Sequence, residues 1–303
     1  MSVKTAQAIV NGQTINLTLN SATGKYEATV TAPAKSSYTQ SGHYYPVTVK
    51  ATDDAGNITA KDDTDATLGE SLRLQVKEKV APVIAVTAPT ASALLTNNKP
   101  TITWKVTDDD SGVNPATIGI TIDSGTKITG EAISKTSITG GYQCSYTPPT
   151  ALADGSHTIK FDASDYDGNA AAQKSVTFKV DTVPPTLSVT APADKSVTNK
   201  AACTVTGTTN DVTSSPVTVT VKLNSGTAEA VTVNADGSFS KALTLAAGAN
   251  TITVVATDAA GKSTTVTRTV TLDTGAPVIH SVTMTPNPVD AGKTFIISVE
   301  VTD

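Results

Sequence analysis

VKATDDAGN (residues 49–57), FDASDYDGN (161–169) and VVATDAAGK (254–262) carry one pattern three times. Upstream of each aspartate, apolar residues recur at every second position: Val47, Val49 and Ala51; Ile159, Phe161 and Ala163; Ile252, Val254 and Ala256. Period two is the mark of a strand with one face in a core. The aspartates are Asp53, Asp165 and Asp258, and three residues on stand Gly56, Gly168 and Gly261. An aspartate entering a turn can accept from the backbone two residues on, and glycine supplies the positive φ that closes it. Each stretch therefore predicts a strand, a tight turn and a return strand.

Other landmarks keep the same order. Upstream lie Gly24 with Tyr26, Gly141 with Tyr142 and Gly237 with Phe239. Before them come the turn signals Asn11-Gly12, Asp123-Ser124-Gly125 and Asn224-Ser225-Gly226. After each return strand a proline marks a boundary, at Pro82, Pro185 and Pro277. Units of roughly 100 residues with many short strands describe antiparallel β-sandwiches. The fold class is all-β: three tandem sandwiches at 1–81, 82–182 and 183–275, then a partial fourth unit, a strand pair, at 276–303. No helical pattern of useful length is present, and Trp104 belongs with Ile102 and Val106 in the core of the second unit.

Composition narrows the function. The chain has 303 residues, a net charge of -5 and 4% aromatic residues. With no Lys/Arg cluster to follow a phosphate backbone, nucleic acid is not an expected partner. No apolar run reaches the ~18 residues of a membrane helix. Cys144 and Cys203 fall in different units, so a disulfide within one domain is not expected, and both read as small buried hydrophobes. The opening MSVKTAQAIVNGQTINL lacks the apolar core of a secretory signal and reads directly as a strand.

The pattern G-x-[HN]-x-I-x-[VF]-x-A-x-D-x-x-G-[NK], followed by a strand and V/L-D-T-x-x-P, resembles the bacterial Ig-like family, a cadherin-like sandwich strung in arrays. Residues 155–185 and 248–277 resemble it closely, and KPTITWKVTDDDSGV (99–113) is similar to the family's second strand and following loop. Residues 1–81 match less well, because the acidic insert DDTDATLGE (62–70) precedes their last strand. The stretches VNGQTINLTLNSATGKYEATVTAP, HYYPVTVKATDDAGN and TPNPVDAGKTFIISVEV also resemble Ig-like accessory and tail-associated proteins of phages and prophages from Gram-positive bacteria. That resemblance implies a semi-rigid structural array in a virion or phage-tail-like particle. Its partners would be other virion or tail proteins, further copies of itself, or host surface glycans. Two other readings stand beside it: a cell-surface adhesin or wall-associated rod, and the accessory glycan-binding region of a larger enzyme.

The sequence offers no catalytic constellation: HExxH, GxSxG and phosphate-cradling loops are absent. A non-enzymatic chain without a cofactor is expected. Candidate calcium ligands are Asp108, Asp110, Asp165 and Asp167, since hard cations take clustered oxygens, with Asp181 or Asp273 of the linkers contributing. The competing reading is that each aspartate caps its own turn, and the absence of a DxNDN linker or an EF-hand loop favours it. Candidate binding aromatics are Tyr38 and Tyr44 in SSYTQSGHYYP (36–46), with Tyr45 turned inward by the strand alternation. The terminal strands, Val282 to Thr285 and Phe295 to Val301, cannot bury enough apolar area alone: either the sequence is cut short here, or the piece pairs with another surface, in a neighbouring chain or in the third unit.

Overall fold

A computed structural model of the chain describes residues 2–303 and divides into two compact units, Met1–Val180 and Asp181–Asp303. All regular structure is strand, apart from short 3-10 turns at Ser37–Thr39, Ser41–His43, Gly69–Leu72 and Gly130–Ala132. The β-branched, aromatic-poor composition is suited to this: such residues fill a pleated surface better than a helix.

The second of the three repeats is a two-sheet sandwich within unit 1. One sheet orders Gly119–Ile122, Gly155–Asp162, Lys174–Val180 and the short Leu94–Leu95; the other orders Ser134–Ile138, Gly141–Tyr146, Ile102–Thr107 and Val83–Ala88. Their inner faces meet over Trp104, Phe161, Ile102, Val106, Ile159 and Phe178, all essentially sealed from solvent. Trp104 packs on Phe161 with ring centroids 5.3 Å apart. Cys144 joins this core, and burial pushes its thiol up to about 11, so it serves as a hydrophobe.

The third repeat, in unit 2, repeats that plan. Thr186–Ala191, Ala202–Asn210 and Ser238–Thr244 form one sheet; Ser196–Thr198, Ser263–Leu272, Gly248–Thr257, Thr218–Leu223 and Glu229–Val231 form the other. Val205, Phe239, Ile252, Val254 and Ala256 fill the space between them. In both repeats a short strand, Leu94–Leu95 or Ser196–Thr198, pairs parallel to the last strand.

The N-terminal repeat differs. Lys25–Glu27, Gln13–Asn20, Val3–Val10, Tyr45–Asp53 and Ile58–Lys61 lie side by side in one sheet, and Arg73–Leu74 pairs with the Tyr45 end. Among the described residues, all six strands of this repeat belong to that one sheet. Residues 28–44, where the other repeats place strands, run as loop and 3-10 turns. The acidic insert is folded onto itself, with Asp62 accepting from the Thr64 N–H and Asp65 from those of Thr67 and Leu68, each at 3.0 Å. Buried apolar residues are accordingly few: Ala6, Val10, Tyr45 and Leu72.

Unit 1 pins this repeat to the next through polar contacts. The Ser36 N–H donates to Asp110 Oδ1 at 3.0 Å and the Glu78 N–H to Asp167 Oδ2 at 3.0 Å. The ring of Tyr38 stacks on Tyr166 at 4.8 Å.

The final strands of unit 2, Val278–Thr285 and Ile296–Thr302, form an isolated antiparallel pair. Its register puts Ile279, Val282, Met284, Ile297, Val299 and Val301 on one face, and all six are exposed. Ser281, Thr283, Ser298 and Glu300 take the opposite face.

Candidate functional site

The repeated aspartates build the same local device three times. Oδ1 of Asp53, Asp165 and Asp258 accepts the backbone N–H of Asn57, Asn169 and Lys262, each at 2.8 Å. The bond spans four residues rather than the two expected, because Gly56, Gly168 and Gly261 carry the chain around with φ of 87°, 93° and 81°. A Cβ at these glycines would meet nothing within 4 Å, so the requirement is conformational.

The second carboxylate oxygen is where the repeats part. Asn57 Nδ2 donates to Asp53 Oδ2 at 2.8 Å, and Asn169 Nδ2 to Asp165 Oδ2 at 2.7 Å. The third repeat has Lys262 in place of asparagine, and Asp258 Oδ2 is buried with no hydrogen-bond partner.

Two groups of carboxylates have oxygens within 4.8 Å of one another: Glu78, Asp108 and Asp165 in unit 1, and Asp181, Asp211 and Asp258 in unit 2. Of the calcium ligands expected from sequence, Asp108 and Asp165 come together, whereas Asp110 and Asp167 stand outside the group. Asp110 accepts from Ser36 and lies 4.0 Å from Lys35 Nζ; Asp167 accepts from Glu78. Glu78, missed in the sequence reading, sits in the KEK linker (77–79), where its charge is indistinguishable from ordinary surface charge.

The oxygens of the first group are served by hydrogen bonds. Asp108 Oδ1 accepts the N–H groups of Asp110 and Gly112 at 3.0 and 2.8 Å. Glu78 Oε1 accepts from Ser111 Oγ at 3.1 Å and Asn169 Nδ2 at 3.2 Å. Burial raises the pKa of Glu78, and its bond to Asp165 adds to the shift. Asp165 is lowered: burial opposes this, but the side chain and backbone of Asn169 hold its charge. The two carboxyls therefore shift in opposite directions, as expected for a close pair of like charges.

The second group is more deeply buried, with exposures of 0% for Asp181, 8% for Asp211 and 5% for Asp258. Backbone N–H groups fix one oxygen of each: Val183 donates to Asp181 Oδ1 at 3.2 Å, while Thr213 and Ser214 donate to Asp211 Oδ1 at 2.8 and 2.7 Å. Ser214 Oγ donates to Asp181 Oδ2. Asp211 comes from the loop NDVTSSP (210–216), which carries no recognisable metal spacing and was not singled out. Beside it an open groove of about 700 Å³ is lined by Thr208, Asn210, Asp211, Pro216, Asn234 and Gly237.

The candidate aromatics are engaged within unit 1. Tyr38 is half-buried between Tyr166 and His43, with its ring centroid 4.4 Å from the histidine. Tyr44 donates its hydroxyl to Asp63 Oδ2 at 2.8 Å, and Arg73 stands 5.0 Å over its ring. Tyr45 is buried, as the strand alternation requires. The histidines serve structure too. His157 contacts Asp123 Oδ2 at 2.8 Å and the Ala153 carbonyl at 2.7 Å; His43 contacts the Tyr38 carbonyl at 3.2 Å; His280 contacts Thr302 Oγ1 at 2.6 Å. Among the described residues, no helix is long and apolar enough to cross a membrane.

Two segments match known families. Residues 85–182 match the bacterial Ig-like domain, and residues 185–274 match glucodextranase, domain B. The chain carries tandem Ig-like domains. No curated protein sequence matches it. Among solved structures it is similar to an I-band fragment of titin, at 14% identity over 89% of this chain and 88% of that one, with a TM-score of 0.48. Fibronectin(III)-like modules of Clostridium thermocellum CbhA match at 16% identity over 63% of this chain and 94% of theirs, with a TM-score of 0.32. A Drosophila N-cadherin fragment matches at 15% identity over 88% and 89%, with a TM-score of 0.28.

Proposed function

We propose that the chain is a non-enzymatic structural component of a phage virion or phage-tail-like particle, where its Ig-like modules mediate assembly and weak attachment to host surface glycans. The observation that carries this reading is the C-terminal strand pair. Two strands hold one another by their ladder but leave the apolar face of Ile279, Val282, Met284, Ile297, Val299 and Val301 in water. A lone pair of strands is marginal in water, and in this reading the exposed face docks by strand addition onto a neighbouring chain of the particle. The phage-like stretches of sequence lie in this pair and in the N-terminal repeat. The test is incorporation: particles assembled with Val282→Asp/Val299→Asp lose the protein, whereas a Thr283→Asp change on the opposite face leaves incorporation intact. Equal incorporation of both variants contradicts docking through this face.

A second reading, the accessory binding region of a glycan-processing enzyme, is favoured by the match of residues 185–274 to glucodextranase domain B. It predicts binding on a glycan array by the intact chain and loss of that signal on Tyr44→Ala; a blank array removes it.

A further inference from the structure

We propose that Asp181, Asp211 and Asp258 form a calcium site within unit 2. Three carboxylates, each more than nine-tenths buried, converge with oxygens within 4.8 Å of one another. That span suits an ion held by oxygens at roughly 2.3–2.6 Å. Among the described residues no lysine, arginine or histidine forms an ion pair with any of them. Buried charge without a counter-charge is costly, and buried charges in proteins are paired or coordinate metals.

Asp258 Oδ2 points to the ligand most directly. It is sealed from solvent and has no hydrogen-bond partner, while Oδ1 of the same group is fixed by the Lys262 N–H. The other repeats are internal controls. Where the turn ends in asparagine, as at Asn57 and Asn169, a side-chain amide satisfies this oxygen. Where it ends in Lys262, the oxygen is left for a cation. In the unit 1 group the Asn169 amide, Ser111 and the backbone N–H groups of Asp110, Gly112 and Asn169 already serve the oxygens. The unit 2 group has no amide and three aspartates with backbone-fixed carboxylates, a preorganised hard-oxygen set. Calcium suits it better than magnesium, which keeps most of its water and demands a near-ideal octahedron. Loop carbonyls and water complete the shell.

Dissociation constants of extracellular calcium modules run on the order of 10⁻⁴–10⁻³ M. At 10 mM calcium the folded-to-unfolded ratio of unit 2 then rises about 10- to 100-fold over chelator. The experiment uses the full chain stripped with EDTA, calorimetric unfolding with calcium or magnesium chloride, and titration calorimetry with calcium. In the unsubstituted chain, calcium raises one unfolding transition and titrates a site that magnesium does not reproduce. Asp258→Asn abolishes both signals. Lys262→Asn, which installs the amide found in the other repeats and keeps all three carboxylates, weakens calcium binding at least tenfold and guards against a folding defect in the first variant. Absence of calcium binding in the unsubstituted chain, or undiminished binding in either variant, overturns the site.

Discussion

Replacing the turn aspartate by alanine in each repeat separates three roles of one motif. Asp165→Ala removes the acceptor for both the N–H and the amide of Asn169, at 2.8 and 2.7 Å, in a site where Asp165 is 2% exposed. Bonds to a charged acceptor contribute roughly 1.5–3 kcal/mol each, so a loss of about 3–6 kcal/mol is expected. For a domain of this size that lowers Tm by more than about 10 °C. Asp53→Ala removes bonds of the same geometry, but Asn57 is exposed and water replaces them, so the loss is much smaller. Asp258→Ala in chelator gives up one backbone bond while deleting a buried, uncompensated carboxylate, and stability stays within about 1 kcal/mol of the parent. In 10 mM calcium the same change becomes strongly destabilising. Calorimetry of the full chain reads all three; Trp104, the one tryptophan, reports the second repeat by fluorescence. If Asp258→Ala in chelator costs as much as Asp165→Ala, the reasoning that satisfaction of Oδ2 distinguishes the repeats is refuted.

The second repeat should also respond to pH. Burial works against a charged His157, but its bonds to the Ala153 carbonyl and to Asp123 prevail, and its pKa is raised. A raised folded-state pKa gives stability that is complete below the unfolded value near 6.5 and is lost as pH rises through the folded value. Trp104-detected urea unfolding at pH 6 and pH 8.5 should show the lower pH more stable, and His157→Asn should flatten the difference, since Asn250 fills the matching place in the third repeat with bonds to the Ala246 and Gly248 carbonyls. Two glycine substitutions should differ for geometric reasons. Gly168→Ala meets open space and costs only backbone strain, about 1–2 kcal/mol, whereas a Cβ at Gly141 would lie 2.0 Å from the Val106 carbonyl oxygen and prevents native pairing; thermal melts distinguish them.

What was legible in the sequence is what local chemistry decides. Alternation placed Ile159, Phe161 and Ala163, and Ile252, Val254 and Ala256 of the third repeat, on inward faces, and Trp104 with Ile102 and Val106 in a core, because period two permits only one buried face; Val47, Val49 and Ala51 of the first repeat are only half-buried. The Asp and Gly of the turn were readable too, although its bond reaches four residues on. The single sheet of the first repeat was not legible: TVTAPAKSSYTQ (29–40) has strand-like composition at its start, yet it carries no strand. Long-range convergence was likewise hidden. Glu78 and Asp211 lie in unremarkable linker and loop sequence, and their meaning arises only where folding brings them to Asp165 and Asp258. Tyr38 and Tyr44 read as loop aromatics, because neither Tyr166 nor Arg73 is near them in sequence.

The central claim is tested most directly by asking whether the protein travels with a particle. Prophages induced in the source cells, banded on a density gradient and analysed by mass spectrometry should contain this chain at a fixed ratio to tail or capsid proteins. Its absence from purified particles, together with recovery in the cell-wall fraction, would contradict a virion component and place the array on the cell surface.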